Sequence, residues 1–201
     1  MTTLGEARSR LRLWLEDPMP DGLWSDEELD EGLRQSLSTY GMLTPLEATA
    51  TLTAADGDAA LGLPAGARNI VRVTGPGGYV LPRRDLPERA GAGEELAWER
   101  WGDQLLFSRP LAAGNYAVRY HGPRLLPADD AGDVPIPDAD LSLLVAGAAL
   151  WAIEARSRQE WKRGPLPPRY EGRRLAARED YHDLLAAFHR RVRSRRLESA
   201  Q

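Results

Sequence analysis

The chain has no cysteine and only one lysine, Lys162, among its 201 residues. Without thiols there can be no disulfide framework, no thiolate nucleophile and no cysteine-ligated metal. Three histidines, His121, His182 and His189, are too few for a histidine-rich metal centre. The longest unbroken apolar run, Leu143 to Ile153, falls well short of the about 20 residues that cross a bilayer. No basic-then-apolar segment opens the chain, so no secretion is expected. Internal repeats and low-complexity segments are also missing. Hydrophobic residues make up 42% and charged residues 28%, as in ordinary folded domains. The length suits one domain, or a helical domain carrying a small insertion.

The chain is organised around Leu141 to Arg158, LSLLVAGAALWAIEARSR. Pro135 and Pro137 precede it, and Asp138 or Asp140 is placed to cap it. Leu141, Leu144, Val145, Ala148, Trp151, Ala152 and Ala155 recur at helical spacing. Ala146, Gly147, Ala149 and Ala152 have almost no side chain, so another backbone can approach closely. The stretch reads as a central helix packed on most of its circumference, within one subunit or between subunits.

Residues 4–17 read as a first helix, with Leu4, Ala7, Leu11, Trp14 and Leu15 on one stripe and Pro18 and Pro20 as its stop. A second helix is predicted over about 25–40. Ser25 and Glu28 form a capping box at its start, and Gly41 is a plausible stop. A last helix over about 172–196 carries Leu175, Tyr181, Leu184, Leu185, Phe188 and Val192, after a Pro/Gly-rich break, KRGPLPPRYEGRR.

Between these helices the texture changes. ATLT is a β-prone run ending in a turn at Asp56-Gly57, and NIVRV-TGPGG-YVL reads as a hairpin. GPGG lacks the lysine and the following helix of a phosphate loop. A second hairpin turns at Gly102-Asp103. Along NYAVRYH, Tyr116, Val118 and Tyr120 face one way, and Ala117, Arg119 and His121 the other. The predicted fold is α+β. A helical core of four helices, two N-terminal and two C-terminal, carries an inserted antiparallel β module of five or six short strands. The predicted domains are 1–47, 48–125 and 126–201.

No catalytic constellation emerges. Asp129, Asp130 and Asp133 form an acidic loop without the spacing of a calcium site. His182 and His189 share a helix face with no suitable third ligand. Ser36 and Ser38 lack a nucleophile-elbow context. No enzyme activity, cofactor or metal is expected. The charges, however, are polarised. The net charge of −4 combines an acid-rich first third with a strongly basic stretch from Arg156 to Arg196. Its last segment holds Arg190, Arg191, Arg193, Arg195 and Arg196 with no acid among them. Arginine forks suit carboxylate or phosphate, so this segment reads as docking onto an acidic protein surface, as DNA backbone contact, or as a solubilising helix end. Of six tryptophans, Trp14 and Trp151 lie on apolar stripes. Trp161 lies past the central helix, where it can anchor a partner or pack locally. Trp98, Trp101 and Tyr120 on the β module leave a small hydrolase or sugar-binding module as a further reading.

The order of several short motifs resembles a known family. WSDEEL opens the second helix, Ser38-Thr39-Tyr40 closes it, and Pro45 follows. ATLT and AADGD come next, then LGLPAGARNIVRV, QLLFSRPLAAGNYAVRYHG and DVPIPDADLSLLVAGAALWAIEAR. With the basic helical tail, this succession resembles the head–tail connector (adaptor, or head-completion) proteins of tailed bacteriophages over nearly the whole chain. The resemblance implies a structural virion protein without cofactor. It would form a homo-oligomeric ring of twelve copies beneath the portal protein ring, connect head to tail and line the DNA channel. Its partners would be the portal, tail or stopper proteins and identical subunits. DNA would pass without sequence-specific binding, and no membrane would be involved. On this basis Arg190, Arg191, Arg193, Arg195, Arg196 and Trp161 are candidates for portal docking. Leu144, Gly147, Ala148 and Trp151 are candidates for subunit or helix packing. Asp26, Glu27, Asp30 and Glu31 are candidate channel-facing acids. The alternative is a DNA-binding or packaging accessory protein that uses the arginine-rich C-terminal helix. A β module larger than in the smallest members of the family leaves its partner open.

Overall fold

The computed structural model describes residues 2–20, 22–84, 96–162 and 168–198, with 168–170 and 193–198 described as backbone alone. The chain divides into two compact units. Met1–Leu43 with Arg124–Gln201 form a helical unit, and Thr44–Pro123 form a β unit.

In the helical unit, α1 (Leu4–Trp14) starts at a capping box. Thr3 accepts from the Glu6 N–H, and Glu6 accepts from the Thr3 N–H. The carbonyls of Asp130 and Gly132 take the next free donors of the first turn, from Gly5 (3.0 Å) and Leu4 (2.9 Å). The acidic loop therefore serves α1, and Asp130 also pairs with Arg8 at 3.0 Å. Among the described residues no cluster of His, Asp or Glu could hold a metal ion.

α2 (Asp26–Leu43) opens on the expected Ser25–Glu28 box, with bonds of 3.0 and 3.2 Å. It does not stop at Gly41. It runs to Leu43 because the stop is Pro45, which disfavours helical backbone at Thr44. α1 is shorter than expected: Leu15 closes it, and Asp17 turns the chain by accepting from the Leu23 and Trp24 N–H groups.

A 3₁₀ turn, Asp138–Asp140, leads into α3 (Leu141–Trp161). Neither acid caps α3 through its side chain. Asp138 accepts from the Thr2 hydroxyl at 2.8 Å, and Asp140 makes no capping bond. α3 extends three residues past the expected Arg158, so Trp161 ends a helix rather than lying in a break. α4 (Pro168–Glu198) also begins earlier than expected. Proline fits a helix's first turn, where its missing N–H costs nothing. Leu175 does not join the α4 core stripe and is 50% exposed.

α3 is the axis of the helical unit. Ten of its residues are buried, and α1, α2 and α4 all pack on it. Leu4, Leu11, Leu29, Leu33, Leu37, Leu141, Leu144 and Ala148 form a continuous core with Val134 and Ile136. A helix apolar on nearly all sides is one surrounded by partners. No helix among the described residues is long and apolar enough to cross a membrane.

Among the described residues the β unit holds seven strands, more than the five or six expected. They are β1 (Leu46–Ala54), β2 (Ala60–Gly62), β3 (Asn69–Thr74), β4 (Val80–Leu81), β5 (Trp98–Trp101), β6 (Gln104–Phe107) and β7 (Gly114–Gly122). They form two antiparallel sheets, β1-β7-β3-β4 and β2-β6-β5. The β3–β4 and β5–β6 hairpins turn where the glycine clusters predict. The additional strand is β2, three residues after the Asp-Gly turn, which pairs with β6. β1 pairs with β7 over nine residues, from Leu46↔Gly122 to Ala54↔Gly114, so the first and last strands close the unit. Tyr116 and Val118 of β7 point into its core with Val73, Leu105 and Trp98.

Candidate functional site

The candidate residues fall on three surfaces of the helical unit. The first is the small-residue face of α3. Leu144 and Ala148 are fully buried. The Ser36 hydroxyl of α2 donates to the Leu144 carbonyl at 2.8 Å. Gly32 of α2 lies so close that an added Cβ would stand 3.0 Å from the Ala148 carbonyl and 3.4 Å from Trp151. A Cβ on Gly147 would meet Ser36 Oγ of α2 and lie 3.0 Å from the Tyr181 ring of α4. Gly147 thus stands where α2, α3 and α4 converge, and the close approach it allows is between helices of one chain. Trp151 is half-buried against Gly32.

The second surface is α4. Ala177 and Phe188 are buried, with Tyr181, Leu184, Leu185 and Val192 partly buried around them. These positions recur at three- and four-residue spacing, so one stripe holds the helix to the core. Burial pushes the Tyr181 phenol above its ordinary value. Near its C-terminal end, α4 docks by polar contacts that the sequence alone did not reveal. The Tyr40 hydroxyl of α2 donates to Asp140 Oδ2 at 2.6 Å. Arg191 pairs with Asp140 Oδ1 and lies over the Phe188 ring at 5.5 Å. Phe188 in turn packs on Tyr40 at 5.6 Å, and Arg124 covers that tyrosine at 5.3 Å. Asp140 is 6% exposed, so its charge needs these partners.

Of the five tail arginines, Arg191 is thereby committed to the fold. Arg190 points outward. Arg193, Arg195 and Arg196 continue α4, and their side chains lie outside the described residues. Trp161 stands 72% exposed at the end of α3.

The third surface is the start of α2. Arg8 grips Asp30 with two bonds of 2.9 Å. Arg12 binds Asp26 at 2.7 Å and Asp17 at 2.8 Å, and also donates to the Trp24 carbonyl at 3.1 Å. The hydrogen bonds that Arg8 donates to Asp30 raise the Arg8 pKa further. The hydrogen bond from Arg12 holds the Asp26 carboxyl below its usual range, with both arginine charges adding to it. Asp26 and Asp30 are therefore matched by cations from α1. Glu27 is exposed, and its pKa is lowered chiefly by a backbone hydrogen bond at the helix start. Glu31 bonds Gln35 at 2.7 Å and Arg34, and those bonds lower its pKa. The arginines at positions 8 and 12 lie off the apolar stripe of α1. Their spacing of four residues, one helical turn, is the one signal that could have flagged a paired cationic face.

Among the described residues, these three surfaces contain no nucleophile–base pair and no convergent acids around a cavity. What they provide is a rigid helical body with charged and aromatic groups along its outside. No curated protein matches the chain. A family model described as SU10 adaptor protein matches residues 2–200. The chain therefore belongs to the SU10 adaptor protein family, whose members are bacteriophage structural adaptors of the virion.

Proposed function

We propose that the chain is a ring subunit beneath the portal, joining head to tail and surrounding the DNA path. Membership of the adaptor family over residues 2–200 carries this reading. The form of α4 supports a mode of attachment. α4 is 31 residues long and held to the core along one stripe, and its end carries arginines with no acid between them. In this reading Arg190, Arg193, Arg195 and Arg196 dock on an acidic portal surface, while Arg191 anchors the helix from which they project. Trp161, exposed at the end of α3, adds an aromatic anchor of the kind that dominates interface energetics. Asp26, Glu27, Asp30 and Glu31 face the channel. Arg8 and Arg12 offset Asp30 and Asp26, and Arg34 offsets Glu31, which leaves Glu27 as the acid that repels DNA. A wall that does not grip phosphate lets DNA slide, because phosphate contacts accumulate steeply.

The test compares capture of the chain on purified portal rings with capture of a variant carrying Arg190→Gln, Arg193→Gln, Arg195→Gln and Arg196→Gln. Arg191 and Phe188 are kept, so the helix remains anchored. Capture of the native chain and loss with the variant supports the reading. No capture of the native chain by its cognate portal overturns it. Equal and steeply salt-dependent binding of the native chain to duplex DNA would instead support the packaging-accessory alternative.

A further inference from the structure

Beside α1, between α3 and α4, runs an open apolar furrow of about 360 Å³, lined by Leu13, Trp14, Val145 and Leu184. Arg10 stands at its rim. A second hollow, which shares Trp14 with the first, is bordered by Arg173. Leu13, 81% exposed, extends the furrow's apolar lining to the surface. Arg10 has no ion-pair partner among the described residues, and Arg173 has only the exposed Glu16, at 2.9 Å. The furrow is thus an apolar trough with one cation, Arg10, at its rim.

The same chain carries the converse pattern on the outside of α4. Leu175, 50% exposed, lies one turn from Glu171 and one turn from Glu179. Both carboxylates are exposed and lack an ion-pair partner among the described residues. Arg174 and Arg178 also neighbour Leu175, but Arg178 is engaged by Glu154 at 3.0 Å, so Leu175 is an apolar knob with two carboxylates one turn to either side. At about 100° per residue, Leu175 lies about 140–160° around α4 from Ala177 and Phe188, which hold the helix to the core. Leu184, which lines the furrow, is on the core side. A chain therefore cannot insert its own Leu175 into its own furrow.

We infer that Leu175 of one copy, flanked by Glu171 and Glu179, seats in the α1/α3/α4 furrow of a second copy, with a carboxylate meeting Arg10. The contact joins two different patches. It is therefore heterologous, and repeated it closes into a ring or runs on as a filament. The inference rests on the proposed ring and names the surfaces through which neighbouring copies meet. The absence of cysteine makes it directly testable. Full-length chains carrying Leu13→Cys or Leu175→Cys are oxidised separately and as an equal mixture. The mixture is expected to give many times more covalent dimer than either variant alone, since only unlike partners bring the two thiols together. Adding Arg10→Glu to the first variant is expected to lower the yield about two- to fivefold, the size of an exposed ion pair, and Glu179→Arg on the second to restore it. Dimer in the mixture no greater than in the separate variants overturns the contact, as does a yield indifferent to both charge reversals. Native mass spectrometry of the unmodified chain on portal rings reports the ring independently. A ring without cross-linking rejects this contact alone, whereas cross-linking without a ring keeps the contact and rejects the ring.

Discussion

The Tyr40 hydroxyl donates to Asp140 Oδ2 at 2.6 Å across 100 residues of sequence. The bond ties the end of α2 to the entrance of α3. Arg191 binds the other carboxylate oxygen, so α2, α3 and α4 meet on one buried acid. Tyr40→Phe removes a buried hydrogen bond to a charged group and is expected to cost about 1.5–3 kcal/mol. Urea unfolding measures it. A change below about 0.5 kcal/mol, the range of ordinary surface substitutions, would contradict this role.

Arg191 and Arg190 adjoin in sequence and are expected to behave differently. Arg191→Gln leaves the buried Asp140 without its cation and is expected to lower stability by about 1–3 kcal/mol, moderated because the arginine is itself partly exposed. Arg190→Gln is expected to stay within about 0.5 kcal/mol. Paired thermal melts distinguish them, and equal shifts would refute the assignment of Arg191 to the fold.

Gly147 makes a prediction with an internal control. Gly147→Ala places a Cβ against Ser36 Oγ and 3.0 Å from Tyr181. Overpacking typically costs about 1–3 kcal/mol, against which alanine's better helix propensity returns about 1 kcal/mol. Gly147→Leu is expected to be worse. Combining Ser36→Ala with Gly147→Ala removes the obstructing oxygen, so the double variant should be more stable than the sum of the single changes. Strict additivity in denaturant titrations would show that the two residues are not in contact.

Asp26 gives the pH dependence. Arg12 holds its pKa below the ordinary 3.8, so the folded state binds this proton more weakly than the unfolded chain. The resulting stabilisation is complete above the ordinary value and is lost as pH falls through it toward the lower folded value. Asp26→Asn should therefore be less stable than the native chain at neutral pH, and the gap should narrow below about pH 4. Melting temperatures of both proteins across that range test it; a gap independent of pH would rule the pair out.

Much of this architecture could be read locally. The Ser25–Glu28 box, the alternation of Tyr116 and Val118 in β7 and the apolar circumference of α3 each depend on near neighbours, and each is where the residues put it. The misplaced boundaries have local causes of a different kind. Gly41 signals a stop only if nothing stronger follows, and Pro45 follows. Pro168 looks like a breaker but begins a helix. The contacts least legible were those made across the chain. Asp140 resembles a helix cap until Tyr40 and Arg191, distant in sequence, claim its oxygens. Asp26 and Asp30 resemble a free acidic face until Arg8 and Arg12 come alongside. In both cases an acid near a helix start already has a sufficient local explanation in the dipole, so nothing in the acid's own neighbourhood names its tertiary partner; only the one-turn spacing of Arg8 and Arg12 on α1 hints at one.

The most direct measurement of the proposed function is native mass spectrometry of purified portal rings mixed with the chain. The ring reading predicts one discrete complex in which every portal subunit carries one copy of this chain, with little partial occupancy at saturation. Portal rings that stay bare, or that acquire copies in no fixed ratio, would contradict it.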